Sequence, residues 1–239
     1  MLRQCNTGLT IAAVLAVSLG ASSAGAVEID ASAALATDYR FRGISLSNGH
    51  PVVEASIEAS IPKGWFAGAE AIVGASPRSP VRTRRHDAEI DLTAGWSRSL
   101  GLLTPSVGVI GYVFPGGGET ANGEVFGALE GALGPATLTV GVNYAPDQAA
   151  APGGNFYTFA RARAGIPATP FSLSASVGRE AGAFADGRVK IDYSVGADVH
   201  IKFATISLAY VGNDLPSAVR LFDRRARRNG IVASVTARF

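Results

Sequence analysis

The sequence has 239 residues, of which 47% are hydrophobic and 17% are charged, and its formal net charge is +2. This composition excludes a disordered chain, which needs low hydrophobicity and high net charge, and a dedicated nucleic-acid protein, which needs a strong basic excess. The single cysteine excludes a disulfide framework and a thiolate metal cage. Mean hydropathy is +0.23, yet the body of the chain lacks the runs of about 20 apolar residues that membrane helices need.

The N-terminal segment is typical of a secretory signal peptide. Arg3 supplies a positive charge, residues 9–19 form a short apolar stretch, and Ala24-Gly25-Ala26 is a small-residue cleavage site. The apolar stretch is too short for a membrane anchor helix. The sequence therefore predicts a cleaved signal peptide over residues 1–26 and a single exported domain over residues 27–239.

The exported part alternates between apolar and polar side chains with a period of two, as a strand does when its two faces meet different environments. The clearest apolar face comprises Val189, Ile191, Tyr193, Val195, Ala197, Val199, Ile201 and Phe203. The same alternation recurs over residues 53–61, 88–97, 138–144, 171–178, 204–210 and 231–239, and more weakly over 106–114 and 124–133.

Two kinds of connection take turns between these strands. Tight connections are expected near residues 62–64, 100–101, 134–135, 167–170 and 202–203. Longer polar or Gly/Pro-rich connections are expected over residues 76–86, 115–123, 146–155, 179–187 and 212–230. The first long position is an exception, because residues 47–50 carry the short Asn48-Gly49 hairpin signal.

Short and long connections in strict alternation, with an even number of strands, are typical of outer-membrane barrels. Because hydrocarbon offers backbone groups no hydrogen-bond partners, a membrane sheet must close on itself. The sequence predicts an all-β fold: a closed, antiparallel, up-and-down transmembrane β-barrel of about 12 strands in the bacterial outer membrane, with both termini on the periplasmic side. The alternative is a soluble lipocalin-like barrel or sandwich, whose apolar face would point inward.

Three stretches of the chain resemble one bacterial family. Asp38-Tyr39-Arg40-Phe41-Arg42-Gly43-Ile44-Ser45, followed by Pro51, is similar to the D-Y-x-F-R-G-I-S stretch of the TorF-type porins, also labelled Gcw_chp. A later E-x-D-x-x-x-G-aromatic stretch of that family resembles Glu89, Asp91, Gly95 and Trp96. An aromatic-rich strand ending in Pro-Gly resembles Tyr112, Phe114, Pro115 and Gly116.

The resemblance implies an outer-membrane barrel that acts as a passive channel. The terminal aromatic residue, Phe239, resembles the assembly signal of many outer-membrane barrels. The partners implied are outer-membrane lipids, the barrel-assembly machinery and small hydrophilic solutes, and no nucleic acid. The sequence departs from the family by being rich in alanine over residues 125–133 and in the later strands, which thins the expected aromatic girdle.

The polar faces of the strands would line the lumen of such a barrel. The charged candidates for the lining are Asp38, Arg40, Arg42, Glu54, Glu58, Glu89, Asp91, Arg161, Arg163, Lys190, Asp192, Asp198 and His200. A strand through residues 38–42, paired with the next strand after Asn48-Gly49, places Arg40 and Arg42 beside Glu54 and Glu58. Such pairs either hold the strand register as an ion-pair ladder or act as a selectivity ring.

Counting strands around a ring of twelve predicts a transverse electric field. The strand with Glu54 and Glu58 lies opposite the strand with Arg161 and Arg163. The strand with Glu89 and Asp91 likewise faces the strand with Lys190 and Asp192.

Two of the outer loops are basic. Their arginines are Arg82, Arg84, Arg85, Arg220, Arg224, Arg225, Arg227 and Arg228. These side chains either bind lipid phosphate groups and solvate the surface, or concentrate anionic solutes at the mouth.

The chain carries no constellation of nucleophile, base and orienting group, and His200 beside Asp198 is read as a polar filler of the lumen. We therefore expect no enzyme activity, no cofactor and no metal. The predicted function is passive diffusion of small hydrophilic solutes, anions among them. The alternative is a plugged, non-conducting barrel with a structural, adhesion or lipid-binding role. The oligomeric state stays open.

Overall fold

The computed structural model describes residues 27–74, 88–115, 122–148, 152–185, 187–215 and 226–239. The predicted signal peptide lies outside these residues. Within them, no helix has the length and apolar character to cross a membrane.

Fourteen β-strands follow one another along these residues, two more than the predicted twelve. In chain order they are β1 (Glu28–Ala36), β2 (Arg40–Phe41), β3 (Ile44–Ser45), β4 (Val52–Ser60), β5 (Trp65–Gly74), β6 (Ala88–Ser97), β7 (Leu103–Val113), β8 (Asn122–Leu133), β9 (Ala136–Ala145), β10 (Asn155–Gly165), β11 (Phe171–Gly182), β12 (Arg188–Ile201), β13 (Ala204–Asn213) and β14 (Gly230–Arg238). A single 3-10 turn, Ala183–Ala185, follows β11.

All strands except β2 and β3 form one closed barrel. Each barrel strand pairs antiparallel with its neighbours along the chain, and β1 closes the ring by pairing with both β4 and β14. Leu35 of β1 therefore lies between Val53 and Val235. Closure leaves no unpaired sheet edge. The predicted closed antiparallel barrel of 12 strands is confirmed.

The two ends of the barrel differ in their connections. At one end, here called the turn end, the strands are joined by residues 61–64, 98–102, 134–135, 166–170 and 202–203, close to the predicted tight turns. Each of these turns contains a residue with positive φ, such as Gly134 at 60° or Lys202 at 53°. Long connections gather at the opposite end, here called the loop end. Strand β1 begins and β14 finishes at the turn end.

Apolar side chains cover the outside of the barrel. Val53, Leu92, Leu173 and Val195 are each about half exposed or more, at 50%, 49%, 53% and 64%. Their neighbours in sequence point inward and are mostly polar. Monomeric soluble proteins rarely expose so large an apolar surface, whereas a lipid-facing barrel requires it. The soluble alternative, with its apolar face inward, is wrong.

Exposed aromatic side chains lie toward both ends of this apolar band, as in the girdles of membrane barrels. Those toward the turn end are Trp65, Phe171, Phe203 and Phe239. Those toward the loop end are Tyr144, Phe156, Tyr193 and Tyr210, all on β9, β10, β12 and β13.

The first long connection differs from the prediction. Strand β1 ends at Ala36, and residues 37–51 form the connection to β4. The predicted Asn48-Gly49 turn does form, because the N–H of His50 donates to the carbonyl of Ser47 at 3.1 Å and both turn residues have positive φ. However, this turn lies within the connection and does not join two barrel strands, so that part of the prediction is wrong. The predicted strand through Asp38, Arg40 and Arg42 is also wrong. Strand β1 lies upstream, where Ile29, Ala31, Ala33 and Leu35 carry the alternating pattern instead.

The predicted ladder between these arginines and two glutamates is therefore absent from the wall. Glu54 lies opposite Ala34, and Glu58 lies opposite Asp30. Strand β1, with nine residues, already occupies this place in the wall. The charged residues 38–42 that follow it are therefore not needed as a wall strand.

Candidate functional site

Residues 38–47, here called the inner segment, fold into the lumen at the loop end. Strands β2 and β3 form a small hairpin in which Phe41 pairs with Ile44. Its two turn residues, Arg42 and Gly43, have φ values of 47° and 82°. Positive φ at both central residues is the mark of a type I′ hairpin turn. Such a conformation is uncommon for a bulky residue such as arginine, so contacts elsewhere must hold it.

Asp38 organises the inner segment internally. Its Oδ1 atom accepts hydrogen bonds from the hydroxyls of Ser45 and Ser47 at 2.5 and 2.8 Å, and from the backbone N–H of Gly49 at 3.1 Å. Its Oδ2 atom accepts from Nε of Arg40 at 2.7 Å. Because one buried carboxylate takes four donors, the segment folds around it as a compact unit.

Arg42 joins the inner segment to two strands of the wall. Its guanidinium donates to Glu124 of β8 at 2.5 Å and to Glu180 of β11 at 2.7 Å. It also lies over the rings of Tyr157 and Phe41, 4.2 and 4.6 Å from their centroids. Two buried ion pairs and a stacked planar cation give a well-defined position to the tip of the hairpin.

The backbone carbonyls of the hairpin tip are also held by the wall. Lys190 of β12 donates to the carbonyl of Arg42 at 2.7 Å and forms an ion pair with Glu180 at 2.5 Å. Asn213 of β13 donates to the carbonyl of Gly43 at 3.0 Å. Both acceptors of the turn are thus satisfied, as buried backbone groups require.

An apolar cluster surrounds the rest of the inner segment. The ring of Phe41 packs edge-on against Tyr112 at 5.7 Å and against Phe184 at 6.3 Å. Ile44 and Leu46 are almost completely buried in the same cluster. Apolar packing inside the lumen is the reverse of the polar lining that the sequence predicts. It lies mainly toward the loop end, with Phe66 of β5 packed against it from the turn half.

An acidic wall faces Tyr39 of the inner segment. Burial raises the pKa of Tyr39 well above its usual value, and Glu89 and Asp91 nearby raise it further. Glu54 and Glu70 of the adjoining strands are buried as well. Both carboxylate oxygens of Asp91, and Oε2 of Glu89, are buried and accept no hydrogen bond in the described part of the chain. Such oxygens favour contact with water over this packed environment.

The inner segment closes the loop half of the lumen, meaning the half nearest the loop end. Every barrel strand contributes at least one buried inward residue to this ring: Ala36, Val52, Ile72, Glu89, Tyr112, Glu124, Asn143, Asn155, Glu180, Lys190, Val211 and Val232. A water-filled passage must be lined by side chains that water reaches, so the loop half is closed in this conformation.

The turn half of the lumen is more accessible than the loop half. Ser60, Ser172, Asp198, Thr205, Ser207 and Thr236 are buried there, but other small or charged inward side chains are partly exposed: Ser32, Ser56, Glu58, Ser106, Glu130, Thr137, Arg161, Arg163, Ser174, Ser176, His200, Ser234 and Arg238. The lumen therefore resembles a polar cup that opens at the turn end.

Charged groups in the cup are mostly paired along their own wall. Arg163 of β10 donates to Asp198 of β12 at 3.1 Å, and the guanidinium of Arg161 lies 4.3 Å from the ring centroid of Phe159. His200 contacts the hydroxyls of Ser172 and Thr205 at 3.0 and 3.2 Å.

The structure brings the predicted lumen residues together only in part. Arg161, Arg163, Asp198, His200 and Glu58 do face the cup. Glu54, Glu89, Asp91, Lys190 and Asp192 lie in the closed loop half. There the inner segment stands between the opposite walls: Lys190 pairs with Glu180, and Asp192 accepts a hydrogen bond from Tyr157 at 3.1 Å.

The predicted basic loops are described only at their end. Arg82, Arg84, Arg85, Arg220, Arg224 and Arg225 lie outside the described residues. The carbonyl of Arg228 accepts a hydrogen bond from Arg40 at 2.7 Å, and that of Arg227 accepts one from Asn213 at 3.2 Å. Hence the end of the last loop packs on the inner segment through its backbone.

Neither a metal cage nor a catalytic triad is formed by the residues that the structure describes. No group of three or more His, Cys, Asp or Glu side chains among them is arranged to hold a metal ion. Ser172 does contact both Asp198 and His200, at 3.1 and 3.0 Å. However, this serine stands between the carboxylate and the imidazole, so the carboxylate does not orient the imidazole as in a triad.

Sequence reasoning missed the acids that receive Arg42. Glu124 and Glu180 occupy inward positions of β8 and β11. Their only signal is that each is a carboxylate on the polar face of a strand. That signal does not tell which cation will meet them.

The three sequence stretches that carry the family resemblance meet at this site. Tyr39 lies near Glu89 and Asp91, and Phe41 packs against Tyr112. Phe114 belongs to the same apolar cluster. These stretches are therefore the inner segment and parts of the wall that receives it.

A family model described as a bacterial protein of unknown function (Gcw_chp) matches residues 20–239. The TorF-type name remains a resemblance only. No curated protein matches the sequence.

Solved structures share the fold at low identity. The "KdgM porin" aligns with a TM-score of 0.58 at 8% identity, covering 90% of this chain and 99% of the other. The NanC porin gives 0.57 at 11% identity, covering 89% and 99%. An outer membrane channel from Pseudomonas putida F1 gives 0.52 at 10% identity, covering 95% and 100%.

Proposed function

The chain belongs to the Gcw_chp family, and we propose that this member is an outer-membrane channel for the passive diffusion of small hydrophilic solutes, anions among them. One observation carries the proposal: the closed barrel is apolar outside and polar inside. A ring of this polarity places a polar interior across a membrane. The porin and channel names of the structural neighbours support the same reading.

The proposal includes an orientation in the outer membrane. Short turns face the periplasm in barrels of this type, so the turn end and its polar cup would face the periplasm. The predicted signal peptide would direct export, and lipids would cover the apolar band. Phe239, which is 80% exposed at the turn end, would be available to the barrel-assembly machinery through the last strand.

One observation favours a second function. Because the loop half of the lumen is closed by the inner segment, a plugged barrel that serves structure, adhesion or lipid binding is the other candidate. The two functions differ in whether the folded protein ever conducts ions.

The test is single-channel conductance in planar bilayers under a salt gradient. Protein expressed with its own N-terminal segment is purified from outer membranes, and its folding is checked by heat-modifiable gel migration. The same measurement is made on a variant that lacks the inner segment, here called the hairpin variant. Ala36 and Val52 lie directly opposite each other, so an Asn-Gly turn can replace residues 37–51 and join β1 to β4.

Discrete conductance steps would support the channel. Folded protein that does not conduct, in the hairpin variant as well, would exclude the channel and leave the plugged barrel. Recovery of the intact chain from the inner rather than the outer membrane would contradict the proposed location.

The arginines of the cup should set ion preference. Replacing Arg161 and Arg163 by glutamate should lower the anion-to-cation permeability ratio several-fold, because both side chains face the accessible lumen and charged groups there set selectivity. The readout is the reversal potential of the conducting hairpin variant. Arg98→Glu, an exposed change in a connection at the turn end, is the control. An unchanged ratio would exclude an anion-selective role for the pair.

A further inference from the structure

We propose that the inner segment is a movable gate: it shuts the loop half of the lumen while Arg42 is seated between Glu124 and Glu180, and the barrel conducts when the segment leaves this seat. This inference rests on the proposed channel function. If solutes pass through the barrel, something must vacate the loop half, because side chains packed this closely leave no path for water.

The barrel does not need the inner segment for its own closure. Strands β1 and β4 pair along their whole lengths, from Glu28 opposite Ser60 to Ala36 opposite Val52. The inner segment adds only its own two-residue ladder. It can therefore leave the lumen without breaking a strand pairing of the wall.

One side of the seat attracts the segment. Arg42 bonds two carboxylates, and Lys190 and Asn213 hold the carbonyls of the hairpin tip. All of these donors and acceptors could be satisfied by water instead, so the attraction is polar and exchangeable. The positive φ of Arg42 adds local backbone strain that release would remove.

The acidic wall on the other side of the inner segment disfavours the closed position. Asp91 and Glu89 keep buried oxygens that accept no hydrogen bond among the described residues, next to the buried ring of Tyr39. Water entering between this wall and the segment would satisfy those oxygens. The unfavourable wall thus offsets part of the attraction and lowers the free-energy difference between the seated and the released state, as a gate requires.

Two glycines of the first connection provide a matched test. A Cβ atom on Gly43 would lie 2.6 Å from the carbonyl oxygen of Gly212 and 2.8 Å from Cβ of Asp192, whereas a Cβ on Gly49 would meet nothing within 4 Å. Both residues have positive φ, at 82° and 76°. Alanine thus adds similar backbone strain at each position, but only Gly43→Ala clashes with the wall.

We expect Gly43→Ala to raise the open probability of single channels about tenfold over that of Gly49→Ala, because a clash confined to the seated state shifts the population toward the open one. Equal open probabilities in these two variants would show that seating of the segment does not control the channel.

A disulfide provides the converse test. A Cβ at residue 43 would lie 3.1 Å from Cβ of Asn213, and a Cβ at residue 196 would lie 3.1 Å from Cβ of Ala209. Both distances are shorter than the spacing of about 3.5–4.5 Å in disulfides, so each bond needs a small backbone shift that moves the two residues apart. Gly43→Cys carries the same Cβ clash as Gly43→Ala, so the reduced pair Gly43→Cys with Asn213→Cys should open as often as Gly43→Ala, whereas its disulfide ties the segment to the wall. Gly196→Cys with Ala209→Cys ties two wall strands. Cys5, the native cysteine, lies in the predicted signal peptide.

Oxidation should abolish openings in the first pair, and a reducing agent should restore them, whereas the wall pair should conduct in both states. Openings that persist in the oxidised first pair, with the disulfide verified by mass spectrometry, would overturn the gate and leave the channel function intact. Absence of conductance from the folded hairpin variant would overturn the channel function and the gate with it.

Discussion

Replacing Arg42 by alanine should lower the free energy of unfolding of the barrel by up to about 3–5 kcal/mol, because breaking a buried ion pair leaves an uncompensated charge. Glu180 would keep Lys190 as a partner at 2.5 Å. Glu124 would keep only neutral donors, Tyr112 at 2.9 Å and Asn143 at 3.2 Å. The loss is smaller to the extent that water enters the loop half and solvates the carboxylates.

Urea unfolding in liposomes, followed by the fluorescence of Trp65 and Trp96, measures this change. Arg42→Lys should fall between wild type and alanine, since it keeps the charge but loses the planar fork that reaches two carboxylates. Arg42→Met combined with Glu124→Gln should recover most of the stability, because both charges of the stronger contact are then removed together.

The exposed Arg98→Ala is the baseline, with an expected effect within about 0.5 kcal/mol. If Arg42→Ala were as stable as this baseline, the two ion pairs would contribute nothing net, and the inner segment would be held by its apolar cluster alone.

A charge on the outer face of the barrel should be nearly as costly. Replacing Val107 by arginine should lower the free energy of unfolding by about 2–4 kcal/mol, the cost of a basic residue near the bilayer midplane. Val107 is 56% exposed on the outside near the middle of β7. The same urea titration in liposomes measures the loss.

The neighbouring position offers a matched control. Ser106 points inward into the accessible cup, and an arginine there lies within reach of Glu130, which is opposite Thr104 on the next strand. Ser106→Arg should therefore cost little stability. Equal losses at both positions would mean that the outward face of β7 does not contact hydrocarbon.

This pair of positions also shows how far the sequence alone could go. The alternation over residues 106–114 is weak, because the inward side chains Ile110, Tyr112 and Phe114 are apolar like the outward ones. Even so, β7 and β8 form at the expected places, since strand length and the tight turn at 134–135 leave no other arrangement. A local period of two and local turn chemistry are enough to fix such elements.

The sequence by itself determined the barrel except for the place of its first strand: the strand number, the antiparallel order, the tight turns and the outward direction of the apolar side chains all follow from short-range pattern. Only the tertiary structure decided the position of residues 38–47. Their alternating aromatic and charged side chains match a strand as well as a hairpin, and strand β1 already fills that place in the wall. The inward fold depends on Glu124 and Glu180, which are 82 and 138 residues from Arg42 along the chain. A local sequence pattern cannot predict contacts at such separations. The two ion pairs form only when the closed ring places β8 and β11 within reach of the Arg42 side chain.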